Sequence, residues 1–130
     1  MGSDELTAII IGAAMKVHSA LGPGVLERAY ELCLVHELRK QGLKAEAQLE
    51  LPIEYDCLKI DAGYRIDVLV EGSVILELKT VQTLLPIHEA QLLSYLRLGH
   101  KQVGLLINFH VEHLRDGIKR MVNDYRESAG

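Results

Sequence analysis

Residues 65–80 have the sequence RIDVLVEGSVILELKT, in which two apolar segments are separated by Glu71-Gly72-Ser73. Both segments are typical of β-strands, whose side chains alternate between the two faces of a sheet. Asp67 lies within the first segment, and Glu77 and Lys79 share one face of the second. A buried charge without a partner is costly, so these side chains need each other, a metal ion or water. The stretch therefore predicts two neighbouring strands that carry a charged site.

The length of the turn between the strands decides whether Asp67 and Glu77 meet. A two-residue turn would place them on opposite faces of the sheet, whereas a three-residue turn over residues 71–73 places them side by side. Gly72 favours the longer turn, because three-residue hairpin loops commonly need a residue with positive φ. Two adjacent carboxylates repel each other unless a cation bridges them, and oxygen ligands suit Mg²⁺ or Mn²⁺. We therefore predict the three-residue turn, or an equivalent bulge, and a divalent metal site.

The rest of the chain supplies helices and further strands around this hairpin. Ser3 or Asp4 caps a first helix that Gly22-Pro23-Gly24 ends, and Gly42 ends a second helix. The order of elements is α-α-β-β-β-α-β-α, with a parallel crossover between the last two strands. This order predicts an α/β fold with a mixed four-stranded sheet flanked by helices. Periodicity places the later helices at residues 86–98 and 114–125, and the strands at residues 46–55, 63–70, 74–80 and 103–109.

Length and composition restrict the classes of protein. A chain of 130 residues corresponds to one domain, residues 1–130, and 48% hydrophobic with 25% charged residues is typical of a globular protein. The formal charge of −4 counts against a broad phosphate-binding surface, although bound cations would offset a carboxylate site. The apolar segments are too short to span a membrane, and the isolated Cys33 and Cys57 fit a reducing compartment. We therefore expect a cytoplasmic protein with no membrane partner.

The charged strands also resemble a known enzyme core. Asp67 followed by Glu77-Leu78-Lys79 resembles the Asp…(Asp/Glu)-x-Lys core of the PD-(D/E)XK nuclease superfamily. The order of the elements is similar to the restriction-endonuclease-like fold of that superfamily. The resemblance covers roughly residues 17–120, and it departs from the superfamily name in that Ile66, not proline, precedes Asp67.

Two motifs on the predicted helices strengthen this resemblance. Residues 24–30, GVLERAY, match the pattern of the GxxExxY protein family within the superfamily, in which Glu27 corresponds to an acidic residue added to the metal site. Gln91 and Tyr95 resemble the Gln-x-x-x-Tyr motif of the exonuclease-like branch, and their i, i+4 spacing places them on one helix face. The resemblance implies that this pair orients the catalytic lysine or the scissile phosphate.

The resemblance implies metal-assisted hydrolysis of phosphodiester bonds. Asp67, Glu77 and the backbone carbonyl of Leu78 would hold one or two Mg²⁺ (or Mn²⁺) ions, and Glu27 would complete the coordination. The metal would activate a bound water, and Lys79 would position or deprotonate that water or stabilise the transition state. Asp67, Glu77, Lys79 and Glu27 are thus the expected catalytic residues.

Three functions remain open from the sequence. The first is a Mg²⁺-dependent nuclease that acts on DNA, with RNA as the second choice of substrate. The alternative is a non-cleaving nucleic-acid-binding or complex-assembly module that keeps the nuclease fold. Small size and acidity favour this alternative, whereas the joint presence of the four expected catalytic residues favours the nuclease. The third is a phosphoesterase for another substrate. A homodimer would double the contact surface of the nuclease, and the helix before Gly22 is a candidate interface.

Several charged and polar residues also have ordinary structural interpretations. Glu77 and Lys79 could form an exposed cross-strand pair, Glu27 could be solvated, and Gln91 and Tyr95 could lie at the helix surface and the core edge. His88 has a structural role in this interpretation, and residues 110–113, HVEH, have too few companion ligands for zinc. The basic residues of the last predicted helix form a solvated face interleaved with acidic residues: Arg115, Lys119, Arg120 and Arg126.

Overall fold

The computed structural model describes residues 1–60 and 64–123 of the chain. Three helices, one short 3-10 helix and seven strands occur in the described residues. The helices are α1 (Ser3–Leu21), α2 (Glu27–Lys40) and α3 (Pro86–Leu98), and the 3-10 helix is η1 (Leu114–Gly117). The strands are β1 (Ala45–Glu50), β2 (Ile53–Tyr55), β3 (Leu58–Ile60), β4 (Arg65–Val70), β5 (Val74–Lys79), β6 (Val103–Asn108) and β7 (Ile118–Val122).

Five of the strands form one mixed sheet in the order β1-β4-β5-β6-β7. β5 and β6 are parallel and are joined through α3, whereas the other neighbouring pairs are antiparallel. One apolar cluster joins α1 and α2 to one face of the sheet, where Leu76 and Leu78 lie. A second cluster joins α3 to the opposite face, where Ile75 and Leu106 lie. The mixed α/β architecture predicted from the sequence is therefore confirmed.

The turn between β4 and β5 has the predicted length. Val70 pairs with Val74 across residues 71–73, so three residues form the loop. Glu71 and Gly72 both have positive φ, and the Ser73 N–H donates to the Val70 carbonyl at 3.0 Å. This register brings Asp67 and Glu77 to adjacent positions, as the three-residue turn requires.

The prediction of one strand over residues 46–55 is wrong, because the strand is interrupted at Leu51-Pro52. β1 ends at Glu50, and β2 pairs with β3 in a separate two-stranded hairpin. Pro52 has no N–H with which to continue the ladder of the main sheet. The Leu51 N–H still follows the β1–β4 register and donates to the Tyr64 carbonyl at 2.8 Å, which holds the base of the hairpin against the start of β4.

The prediction of a last helix over residues 114–125 is also wrong. η1 leads into β7, which pairs with β6, so the sheet has five strands and not the predicted four. The spacing of Ile118 and Met121 is compatible with a helix and also with a half-buried edge strand. Pairing with β6 selects the strand. That contact depends on Gly117, whose position would put a Cβ 2.2 Å from the Asn108 carbonyl oxygen. The end of the predicted helix lies outside the described residues.

The helix boundaries agree closely with the sequence, with one correction. α1 begins at Ser3 with Gly2 as its N-cap and no side-chain cap, so the prediction that Ser3 or Asp4 caps it is wrong. α3 begins at Pro86, as predicted. Among the described residues, no helix is both long enough and apolar enough to cross a membrane.

The close approach of Gly117 to β6 can be tested by substitution. We expect Gly117→Ala to lower the free energy of unfolding by about 2 kcal/mol or more, because a methyl group cannot fit against the Asn108 carbonyl without moving β7. Gly12→Ala is the matched control, since nothing lies within 4 Å of its added Cβ in the middle of α1. The control should leave stability unchanged or raise it by roughly 0.5–1 kcal/mol. Equal denaturation midpoints for the two variants would contradict this account of β7.

Candidate active site

The candidate site lies where β4 and β5 separate. Their pairing runs from Val70 opposite Val74 to Val68 opposite Leu76. Beyond that point, carboxylate oxygens accept the hydrogen bonds of the backbone. The Leu78 N–H donates to Asp67 Oδ2 at 2.8 Å, and the Asp67 N–H lies 3.4 Å from Glu77 Oε1. The predicted meeting of the two acidic side chains thus occurs at the end of the antiparallel ladder.

Glu77 is the acidic residue whose pKa these contacts change most. Only 4% of the residue is exposed. Burial, the charge of Asp67 and a side-chain hydrogen bond with Asp67 together raise the pKa of Glu77 to about 9. Without a cation, the Glu77 carboxyl therefore holds a proton at neutral pH and shares it with its neighbour.

Lys79 is the last residue of β5 and is half-buried. Its positive charge lowers the pKa of both Glu77 and Glu27, opposing the effects that raise them, so it lies within electrostatic reach of both acids. The Phe109 N–H donates to the Lys79 carbonyl at 2.9 Å, which holds the end of β5 against β6. The ammonium group thus emerges from a fixed backbone beside the acidic pair.

Asn108 is a buried residue of this region that the sequence did not single out. It is 2% exposed and lies opposite Lys79 in the parallel pairing of β5 and β6. Its side chain donates to the Val81 carbonyl at 2.7 Å and accepts from the Val81 N–H at 3.1 Å. Asn108 therefore holds the chain immediately after Lys79. A buried amide at the end of an apolar strand was the only available signal.

Glu27 is the first residue of α2 and is exposed at the rim of the site. Partial desolvation, the charge of Asp67 and the charge of Glu31 raise the pKa of Glu27, whereas Lys79 lowers it. Glu27 therefore lies within electrostatic reach of Asp67 and Lys79. The residues that the structure describes contain no group of three or more His, Cys, Asp or Glu side chains arranged to hold a metal ion. Glu27 thus lies near Asp67 without closing a three-carboxylate cluster in the described residues.

The position of Glu27 depends on Tyr30, one turn later in α2. Tyr30 is fully buried and stacks on Phe109 with ring centroids 4.4 Å apart. Its hydroxyl donates to the Gly22 carbonyl and accepts from the Val25 N–H. Gly24, with φ of 88°, lets the connecting loop turn into the helix. The Gly, Glu and Tyr of residues 24–30 thus have separate roles: the turn, the rim acid and the anchor.

Gln91 and Tyr95 lie on the same face of α3, as predicted, and their side chains are hydrogen-bonded. Burial, followed by the charges of Glu77 and Asp67, raises the pKa of Tyr95. The ring of Tyr64, which precedes β4, meets Tyr95 edge to face at 6.1 Å. The accessory pair therefore lies beside the acidic centre, together with an aromatic residue that the motif did not include.

The remaining predicted polar residues have structural or solvated positions. The Leu85 N–H donates to His88 Nδ1 at 2.9 Å, so His88 caps α3. Lys119 pairs with Glu89 at 2.6 Å and Arg120 with Asp4 at 2.9 Å, both on β7. The exposed side chains include those of His110, His113 and Arg115. Arg126 lies outside the described part of the chain.

The donor atoms of the site fit a divalent metal ion. Asp67, Glu77 and Glu27 offer only oxygen ligands, which Mg²⁺ and Mn²⁺ prefer. Burial comes first among the causes that raise the pKa of Glu77 and the charge of Asp67 second, and the positive charge of Lys79 does not offset them. A bound cation would take the place of the Glu77 proton and relieve the repulsion between the carboxylates.

The pKa of Glu77 predicts how stability depends on pH. An unfolded glutamate titrates near 4.5, whereas folded Glu77 keeps its proton up to about pH 9. The folded state therefore binds the extra proton between these values, and metal-free protein should lose stability as pH rises from about 5 to 9. Glu77→Gln removes the titrating group, so its melting temperature should exceed that of the wild type by about 5 °C or more at pH 8.5. Thermal melts in chelator at several pH values would measure this.

Glu112→Gln is the control for that experiment, because Glu112 is exposed and far along the chain from β5. It should keep the pH dependence of the wild type. Parallel pH profiles for the wild type and Glu77→Gln would show that Glu77 is not the group responsible.

Comparison with known proteins agrees with this geometry. Searches of curated proteins and of solved structures gave no match. A protein-family model described as PD-(D/E)XK nuclease superfamily matches residues 4–121. The match spans both helices before the sheet, the acidic strands and the parallel crossover, and extends into β7. The chain therefore belongs to the PD-(D/E)XK nuclease superfamily.

Proposed function

We propose that this protein is a Mg²⁺-dependent nuclease that hydrolyses phosphodiester bonds of DNA, with RNA as the second candidate. One observation carries the proposal: Asp67 and Glu77 meet at the point where β4 and β5 separate, with Lys79 on the same strand. Membership of the superfamily supports a nuclease-type function on a nucleic acid. The choice of DNA and of Mg²⁺ is our proposal.

Asp67 and Glu77 are the proposed metal ligands. The Leu78 N–H points toward β4, since it donates to Asp67, and the N–H and C=O of one strand residue point to the same side. The Leu78 carbonyl is therefore expected to face the same space and to serve as a third oxygen ligand. Glu27, at the rim, would complete the coordination directly or through water. A divalent ion bound there would lower the pKa of a water molecule and polarise the phosphate.

Lys79 is the proposed catalytic cation. Its ammonium group lies within electrostatic reach of Glu77 and Glu27, so it would face a phosphate held at the metal. There it would orient the attacking water or stabilise the negative charge that develops on the phosphate oxygens.

Gln91 and Tyr95 are the proposed positioning pair. Their hydrogen bond directs the Tyr95 hydroxyl, which lies within the electric field of Asp67 and Glu77. A phosphate bound at the acidic centre could accept a hydrogen bond from this hydroxyl or from the Gln91 amide. The pair would therefore hold the scissile phosphate against the metal from the α3 side.

A non-cleaving nucleic-acid-binding or complex-assembly module is the second candidate. A specific observation favours it: in the described residues, no three acidic or histidine side chains form a group ready for a metal ion. A binding module, however, has no use for a buried acid such as Glu77, whose pKa is raised to about 9 beside a second acid. We therefore place the nuclease first.

Cleavage assays should separate the two candidates. We expect the wild type to cut DNA with Mg²⁺ or Mn²⁺, and Asp67→Ala and Lys79→Ala each to reduce the rate about 100-fold or more, because each removes part of the catalytic centre. The assay should include single- and double-stranded DNA and RNA. Asp116→Ala and Lys59→Ala are matched controls, since both residues are exposed, on η1 and β3, and both variants should cut at the wild-type rate.

Each failure of this assay has a different meaning. Unchanged cutting by Asp67→Ala or Lys79→Ala would contradict our residue assignment. A folded wild type that binds nucleic acid but cuts no substrate with either metal would support the binding module.

The role of Glu27 predicts a change in metal dependence. We expect Glu27→Gln to raise the Mg²⁺ concentration for half-maximal cleavage about tenfold or more, with activity recovered at high Mg²⁺, because an outer ligand tunes affinity. Glu54→Gln, an exposed position on β2, should keep the wild-type titration curve. A Glu27→Gln titration curve identical to that of the wild type would exclude Glu27 from the coordination.

A further inference from the structure

A cleft of about 430 Å³ opens beside α3 at the start of β4. Tyr64 and Tyr95 form one part of its wall with their rings edge to face, and Ile87 and Leu98 supply apolar surface. Gln91, His88 and Ser94 contribute polar groups. No Asp, Glu, Lys or Arg is among the residues that line this cleft in the described part of the chain. The cleft therefore suits a flat, uncharged, partly polar group and not a phosphate.

The cleft shares a wall with the candidate active site. Tyr64 lies three residues before Asp67, which corresponds to about 10 Å along an extended chain. Tyr95 lines the cleft and also lies within the electric field of Asp67 and Glu77. A group in the cleft would thus lie next to a phosphate bound at the acidic centre.

The walls of the cleft expose apolar surface that is not buried in the hydrophobic core. Ile87 is 67% exposed and Tyr64 is 42% exposed, although neighbouring Tyr95 is buried. Exposed aromatic and apolar side chains around a concave surface indicate a binding site. Bases of single-stranded nucleic acids stack on such aromatic side chains with little regard to sequence.

We propose that this cleft, lined by Tyr64, Ile87, Gln91, Tyr95 and Leu98, receives an unpaired nucleobase of the substrate strand next to the phosphate held at the active site. The base stacks on the Tyr64 ring and packs against Ile87, while Gln91 and Tyr95 separate it from the phosphate that they position. A base inside a paired duplex cannot enter, because it is stacked between its neighbours. The preferred substrate is therefore a single strand or an unpaired end. This inference deepens the proposed function and rests on it for the position of the phosphate.

Binding measurements on a non-cutting background test the cleft. In Lys79→Met protein with Mg²⁺, the dissociation constant of a nine-nucleotide oligothymidylate should rise about tenfold on Tyr64→Ala and change less than twofold on Tyr64→Phe, which keeps the ring. Tyr55→Ala is the matched control, since Tyr55 is an exposed tyrosine that does not line the cleft. A fully paired duplex of the same length should be insensitive to Tyr64→Ala. Oligouridylate provides the RNA arm.

An abasic scan on the same Lys79→Met background identifies the base that enters. Removing one base at a time should weaken binding most at one position, and adding Tyr64→Ala should have no further effect on that oligonucleotide. A 2-aminopurine placed at that position should lose fluorescence when the parent or the Tyr64→Phe variant binds, because both keep an aromatic ring. Its fluorescence should not fall when the Tyr64→Ala variant binds. These readouts distinguish stacking from a merely structural role.

The outcomes separate this inference from the proposed function. Equal affinity of Tyr64→Ala and the parent for every oligonucleotide, equal losses across the abasic scan, or no binding at all would overturn the cleft. Tyr64-dependent binding by a wild type that cuts nothing would support the cleft and contradict the nuclease. Cleavage that ignores Tyr64→Ala, with unchanged oligonucleotide affinity, would support the nuclease and overturn the cleft.

Discussion

The structure depends on the way in which β4 and β5 stop pairing. The backbone ladder ends at Val68 and Leu76, and the carboxyl groups of Asp67 and Glu77 accept the next two amide hydrogens. Two acids thus substitute for part of a sheet in a buried location. An arrangement of this kind needs a proton or a cation between the acids, since two negative charges so close repel strongly in a poorly solvated site. The same two carboxyl groups therefore end the backbone ladder and serve as the proposed metal ligands.

The scaffold around this point restrains each participating segment. Asn108 holds the chain after Lys79, and Tyr30 holds the loop before Glu27. Phe109, which stacks on Tyr30, follows Asn108 directly in the chain. One end of β6 therefore supports both the lysine strand and the rim helix. Because sites on supported strands and helices keep their geometry, we expect this buried polar and aromatic end of β6 to hold the candidate active site in place.

The two sides of the site differ in their chemistry. The acidic centre carries the charges that we propose to act on a phosphate, whereas the cleft beside α3 is lined by aromatic, apolar and amide groups. The formal charge of −4 leaves little general attraction for a polyanion. Affinity for a nucleic acid would then depend on a bound cation and on stacking more than on a basic surface. This combination is consistent with recognition of a short unpaired segment.

Local sequence determined much of this protein. Periodicity located the three helices, Gly72 predicted the three-residue turn, and that turn brought Asp67 to Glu77, because these features depend on neighbouring residues. Tertiary contacts decided the rest. Residues 118–122 could form a helix or a strand until β6 offered a partner and Gly117 allowed the approach to Asn108. The pKa of Glu77 and the cleft at Tyr64 likewise arise from burial against segments far away in the chain. The sequence alone determined which chemical groups are present, and the tertiary structure decided their solvation and their neighbours, since both depend on long-range packing.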